Sequence, residues 1–99
     1  MPRLDRDFIV NAIRTRSHFT ASGHMSGRSG GGLAYGHRLR GDLLAEYRDV
    51  LADGSIRYTV YSYETPIAWV TADGTVRVPD VYYTRTTSGQ QNLAREALG

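Results

Sequence analysis

The chain contains no cysteine and no lysine. Without cysteine neither a disulfide framework nor a thiolate zinc site can hold the fold, so burial of apolar surface has to do it. Without lysine the phosphate-loop motif, which needs Gly-Lys followed by Ser or Thr, is ruled out; the glycine run also lacks Gly-x-Gly-x-x-Gly spacing. No apolar run approaches the ~18 residues of a membrane span. The start, Met1-Pro2-Arg3-Leu4-Asp5, lacks the apolar stretch of a signal peptide. A soluble, cytoplasmic protein without membrane contact is expected.

Histidine is also scarce. If His18 and His24 lie on one strand they are about 20 Å apart at ~3.3 Å per residue, too far to share one metal. Gly27-Arg28-Ser29-Gly30 is no nucleophile elbow, and nothing in the sequence sets a histidine beside Ser29. The acid pairs Asp49 with Asp53 and Asp73 with Asp80 read as turn and surface residues. The expectation is therefore no catalytic residue, no metal and no cofactor: a protein that is not an enzyme.

What the chain does hold is enough for one domain, residues 1–99, burying somewhat over ~60% of its unfolded surface. All twelve basic residues are arginine. Arginine-favouring codons explain that; planar guanidinium forks that grip phosphates are the functional alternative. Residues 1–41 carry seven Arg against Asp5 and Asp7, whereas residues 42–99 carry five Arg against eight acids. A basic first part and an acidic second part suit a polyanion-facing surface or self-association of opposite faces.

Residues 5–15 have helical spacing, with Phe8, Ile9, Ala12 and Ile13 on one stripe, acids at the start and Arg14 and Arg16 at the end. From His18 to Met25 the period falls to two, and Leu33, Tyr35, His37 and Leu39 alternate again. Residues 18–40 thus read as a hairpin whose tip is a flexible glycine-rich loop, 26–32, or else as a mobile arm. Residues 43–51 read as a helix capped by Asp42 and ended by Gly54, although Ala52-Asp53-Gly54-Ser55 also suits a hairpin turn. Strands follow at 56–63, 66–71, 75–78 and 81–87. With Asp73 and Gly74 as a two-residue loop, Thr71 faces Val76, Trp69 faces Val78, and Ile67 joins them on the core side. Ser88 and Gln91 form a capping box for a last helix with Leu93, Ala94, Ala97 and Leu98 inward. The class is α+β: a small antiparallel sheet of about four to six strands between an N-terminal and a C-terminal helix.

Two blocks carry a family resemblance. Tyr61-Ser62-Tyr63-Glu64-Thr65-Pro66-Ile67-Ala68-Trp69, then Val78-Pro79-Asp80 and Tyr83-Thr84-Arg85-Thr86-Thr87-Ser88-Gly89-Gln90-Gln91, resemble a family of small uncharacterised proteins of actinobacterial tailed phages. Its pattern is Ser-Tyr-x-Thr-Pro-Ile-Ala followed by Tyr-Ser-x-Thr-Thr-Ser-x-His-Gln. The match spans roughly residues 58–91 and departs at Thr84, where Ser is usual, and at Gln90, where His is usual. Loss of that His argues against an acid-base site in the second block. The resemblance implies a phage protein in a bacterial host cytoplasm and supplies no activity.

Arginine and tyrosine supply the candidate contact residues. Tyr58, Tyr61, Tyr63, Tyr82 and Tyr83 fall on the expected sheet, and strict alternation sets Arg57, Tyr61 and Tyr63 on one face. Tyr and Arg are enriched at protein interfaces, can stack bases and hold phosphates, and also pack as core rings with rim hydroxyls. The Thr86-Thr87-Ser88 start of the last helix reads as a cap; Arg85 beside it makes an anion site the alternative. The expected role is that of a phage accessory protein binding an unidentified host bacterial protein. The alternative is nucleic-acid binding through Arg14, Arg16, Arg28, Arg38 and Arg40 with exposed Tyr and Arg. A homo-oligomer joined by the oppositely charged halves is also open.

Overall fold

The computed structural model describes residues 2–21, 25–33, 38–39, 41–79 and 85–98, with 2–7 and 85–89 described as backbone. Its elements in chain order are α1 (Pro2–Arg14), β1 (Phe19–Ala21), β2 (Met25–Ser29), α2 (Gly41–Ala52), β3 (Ile56–Ser62), β4 (Thr65–Thr71), β5 (Val76–Arg77) and α3 (Arg85–Leu98). The strands form an antiparallel sheet in the order β1-β2-β3-β4-β5. The class is α+β, with helices at both ends of the chain.

The sheet is packed on both faces. On one, α1 and α3 contribute Ile9, Val10, Ala12, Ile13, Ala94 and Ala97 to a cluster with Phe19, Met25, Tyr58, Val60, Ile67 and Val70. On the other, α2 lays Tyr47 against Trp69, with Leu39 and Ile56 completing a second buried cluster. The Tyr47 and Trp69 rings meet edge to face at 4.8 Å, a favoured aromatic geometry. Trp69 is sealed, so the indole anchors the interior. Residues 41–52 are helical, which decides that segment against a strand. Helical spacing marks Ile9, Ala12, Ile13, Ala94 and Ala97 correctly as buried, but Leu93 and Leu98 are half-buried while Gln90 and Gln91 are buried, and Phe8 stays 56% exposed with Val10 buried in its stead.

Two irregularities in the β3–β4 pairing set which side chain goes where. Ile56 pairs with Thr71 and Tyr58 with Val70, so Arg57 is an extra residue; between Val60 and Tyr61 the register shifts again at Ile67. A bulge reverses the alternation that follows it. Ile56 and Tyr58 consequently face opposite sides despite sharing parity, and so do Ile67 and Trp69. The expected common side for Ile67 and Trp69 is corrected accordingly.

The expected β4–β5 register is also off by one. Trp69 pairs with Arg77 and Val70 with Val76, because the loop is Ala72-Asp73-Gly74 and Thr71 closes on Thr75 at 3.0 Å. Gly74 takes the left-handed conformation, φ 86°, that a three-residue hairpin loop requires.

Three further expectations change. Residues 26–29, assigned above to the glycine-rich loop, are strand: β2 pairs with β1 and β3 and lies inside the sheet. Gly27 belongs there sterically, since a Cβ would overlap the Tyr58 hydroxyl and the Phe19 ring. Residues 31–33 and 38–39 form no strand. Helix α3 begins at Arg85, so Thr86, Thr87 and Ser88 are helical, Ser88 is not its cap, and residues 85–87 of the strand expected through Thr87 are helix. The Gln91 side chain instead donates to the Pro79 carbonyl at 2.8 Å in the interior. Residues 81–84, with the rest of that expected strand, lie outside the described residues. Among the described residues no helix is long and apolar enough to cross a membrane.

Candidate functional site

Helix α2 covers only part of its face of the sheet. Met25 and Gly27 point to the α1/α3 cluster, so Ser26 and Arg28 point the other way, towards the α2 side. The β2–β3 register sets Tyr61 beside Ser26 and Thr59 beside Arg28. Ser26, Arg28, Gly32, Leu33, Tyr61, Tyr63 and Glu64 line an open groove of about 390 Å³ there, within the size range of ligand sites.

Behind Gly32, a lining residue of the groove, two buried hydroxyls are fixed by the neighbouring backbone. Tyr47 on α2 donates to the Gly32 carbonyl at 3.2 Å and accepts from the Gly32 N–H at 3.1 Å. Thr59 donates to the Gly30 carbonyl at 2.8 Å and lies 3.4 Å from the Tyr47 hydroxyl. Gly31 has to be glycine, because a Cβ would sit 2.6 Å from the Tyr47 hydroxyl. Burial, and then the neighbouring Tyr47 hydroxyl, push the Tyr61 phenol well above its ordinary value. Tyr61 therefore keeps its proton across the physiological range and remains a hydrogen-bond donor.

Tyr63 is at the mouth. Ser62 pairs with Thr65, so Tyr63 and Glu64 are the two loop residues of the β3–β4 hairpin. Tyr63 has φ 57°, a first loop position usually given to glycine, and is 57% exposed. An exposed aromatic held in a conformation that disfavours side chains is the kind of local strain that clusters at contact sites.

Of the nine arginines and tyrosines proposed from sequence, the structure brings Arg28, Tyr61 and Tyr63 together. Arg14 and Arg16 are exposed at and beyond the end of α1, where the Arg16 guanidinium donates to the Ile13 carbonyl at 2.9 Å. Arg38 is exposed, its N–H bonded to Thr65 Oγ1 at 2.9 Å, and does not line the groove. Neither does Arg57, the extra residue of the bulge, which alternation had set with Tyr61 and Tyr63. Arg40 and the side chain of Arg85 lie outside the described residues, as do Tyr82, Tyr83, His24 and His37.

Ser26, Gly32, Leu33 and Glu64 were missed by sequence reasoning. The alternation Met25, Gly27 against Ser26, Arg28 would have found the first, had the glycines not marked a loop. His18 does lie beside Ser29, contrary to the sequence reading, but its Nε2 accepts from the Ser29 backbone N–H at 2.9 Å. That nitrogen is thereby engaged and serves no hydroxyl as a base. Among the described residues no three His, Asp or Glu side chains gather as a metal site.

Residues 9–92 match a family of unknown function, DUF8033, and the chain belongs to that family. No curated protein and no solved structure is detectably similar to it.

Proposed function

We propose that this chain acts by binding and not by catalysis. A segment of another protein lies in the β2–β3 groove, with Arg28, Tyr61 and Tyr63 as its contacts. In the phage setting that the sequence resemblance implies, the partner is a host bacterial protein met in the host cytoplasm. The observation that carries this reading is Tyr63: a large ring kept in solvent, in a left-handed turn position, at the mouth of a groove. Rigid aromatic side chains beside an arginine are the usual anchors of protein contacts. The test is affinity capture from host lysate with the full chain and with Tyr63→Ala. The reading expects a protein retained by the first and lost by the second; equal recovery from both contradicts it.

A second reading has support in the exposure of Arg14, Arg16, Arg28 and Arg38, which suits nucleic-acid phosphates. It predicts an affinity that falls steeply with salt. A labelled duplex that shows no shift even at low ionic strength removes it. The groove favours the first reading, since Arg28 alone of these four arginines lines it.

A further inference from the structure

The chemistry of the groove narrows its partner, given the binding reading above. Arg28 is exposed and carries no ion pair among the described residues. Ser26, one alternation away on β2, presents a hydroxyl to the same face, with Tyr61 opposite it. One end of the groove thus offers a guanidinium flanked by hydroxyl donors, a set that suits a single carboxylate. Leu33 gives an apolar wall, and the Tyr63 ring stands at the other end beside Glu64. By register Arg28 pairs with Thr59, while Glu64 follows the Ser62 position paired with Met25. The backbone positions of Arg28 and Glu64 are therefore roughly 10 Å or more apart along the strands, at ~3.3 Å per residue. Arg28 is the one cation among the described residues lining the groove, which matches an extended peptide with one acid at that end and not a run of phosphates.

We infer that the groove takes an extended segment of a partner protein bearing one acidic side chain, its carboxylate on Arg28 and Ser26 and an adjacent apolar residue against Leu33 and Tyr63. The test is a titration of the full isotope-labelled chain, followed by amide NMR, with acetyl-Val-Thr-Glu-Val-Thr-amide. Its Gln and Lys counterparts and a short oligothymidylate serve as comparison probes. Saturable shifts should appear at Ser26, Arg28, Leu33 and Tyr61, with the Gln peptide weaker by about tenfold or more, the scale of a charge-assisted hydrogen bond. Arg28→Ala should abolish the preference for Glu over Gln, and Arg28→Lys should retain part of it. Equal binding of the Glu and Gln peptides, tighter binding of the oligothymidylate at the same amides, or no saturable shift at millimolar peptide overturns the inference. Host capture that requires Tyr63 but is indifferent to Arg28→Ala overturns it while leaving the binding reading in place. Capture indifferent to both residues removes the two together.

Discussion

Neighbouring glycines in this chain have opposite requirements. Gly31 packs under the Tyr47 hydroxyl, whereas Gly32 has open space around its Cβ direction and no left-handed φ. Gly31→Ala should therefore cost about 1–3 kcal/mol through overpacking. Gly32→Ala should add about 0.4–1 kcal/mol by restricting the unfolded chain. Urea unfolding of the two variants checks both signs. Arg16 poses a related case. The bonds Arg16 N–H to Ile13 O at 3.0 Å and Ser17 N–H to Ala12 O at 2.8 Å close α1 as a Schellman motif, with Arg16 at φ 57° where glycine is usual. Arg16→Gly should raise stability by about 0.5–1 kcal/mol, the relief of the left-handed conformation less the lost guanidinium bond to Ile13. A lower melting temperature would count against that.

The same tetrapeptide pattern ends two different elements. Ala52-Asp53-Gly54-Ser55 closes α2, with Ser55 N–H on Val50 O at 3.1 Å and Gly54 N–H on Leu51 O at 3.3 Å, while Ala72-Asp73-Gly74-Thr75 turns a hairpin. In both, the aspartate accepts the N–H two residues on, at 2.9 and 3.0 Å, and the glycine is left-handed. Hydrogen bonds from Thr71 first, and then from the Thr75 backbone, hold the Asp73 carboxyl at about 2. The sequence shows that the chain turns at these points; it does not show whether two or three residues make the turn. One residue of difference inverts the faces of a strand, which is why the β4–β5 register was misread. The bulges at Arg57 and Ile67 are equally hidden, since nothing in Val, Tyr or Ile marks an extra residue. Helices were easier, because an apolar stripe averages over three or four turns. At the sheet's far edge, β5 is two residues long and is tied to α2 by a forked ion pair, Arg77 Nε to Glu46 at 2.7 Å and Nη2 to its other oxygen at 3.2 Å. Both side chains are well exposed, so Glu46→Gln should cost less than about 1 kcal/mol. Its effect should be confined to faster amide exchange in β5.

Across the whole molecule the two faces of the sheet do different things. The α1/α3 face carries the larger buried cluster; the other is shared between α2 and the groove. Chemistry alone named Arg28, Tyr61 and Tyr63, but only the β2–β3 register could set them together, and it runs through a glycine-rich stretch that resembles a loop. Global stability should fall in alkali. Burial pushes the Tyr58 phenol, whose hydroxyl donates to the Ser17 carbonyl at 2.7 Å, from 10.0 up to about 12 against a small opposing pull from Arg16. Between those values the folded chain keeps a proton that the unfolded chain releases, so stability is intact below pH 10 and declines as pH rises towards 12. Tyr61 acts in the same direction. Tyr58→Phe should cost about 0.5–1.5 kcal/mol at neutral pH for the lost hydrogen bond and flatten the alkaline decline; an unchanged pH profile would be evidence against the burial of this phenol. The central claim, that Tyr63 is kept in a strained, exposed turn for contact, is tested most directly by Tyr63→Gly, with melting temperature and partner capture read on the same sample. The account predicts a melting temperature equal to or above that of the parent chain together with lost capture. Capture retained in full by a stably folded Tyr63→Gly would contradict it.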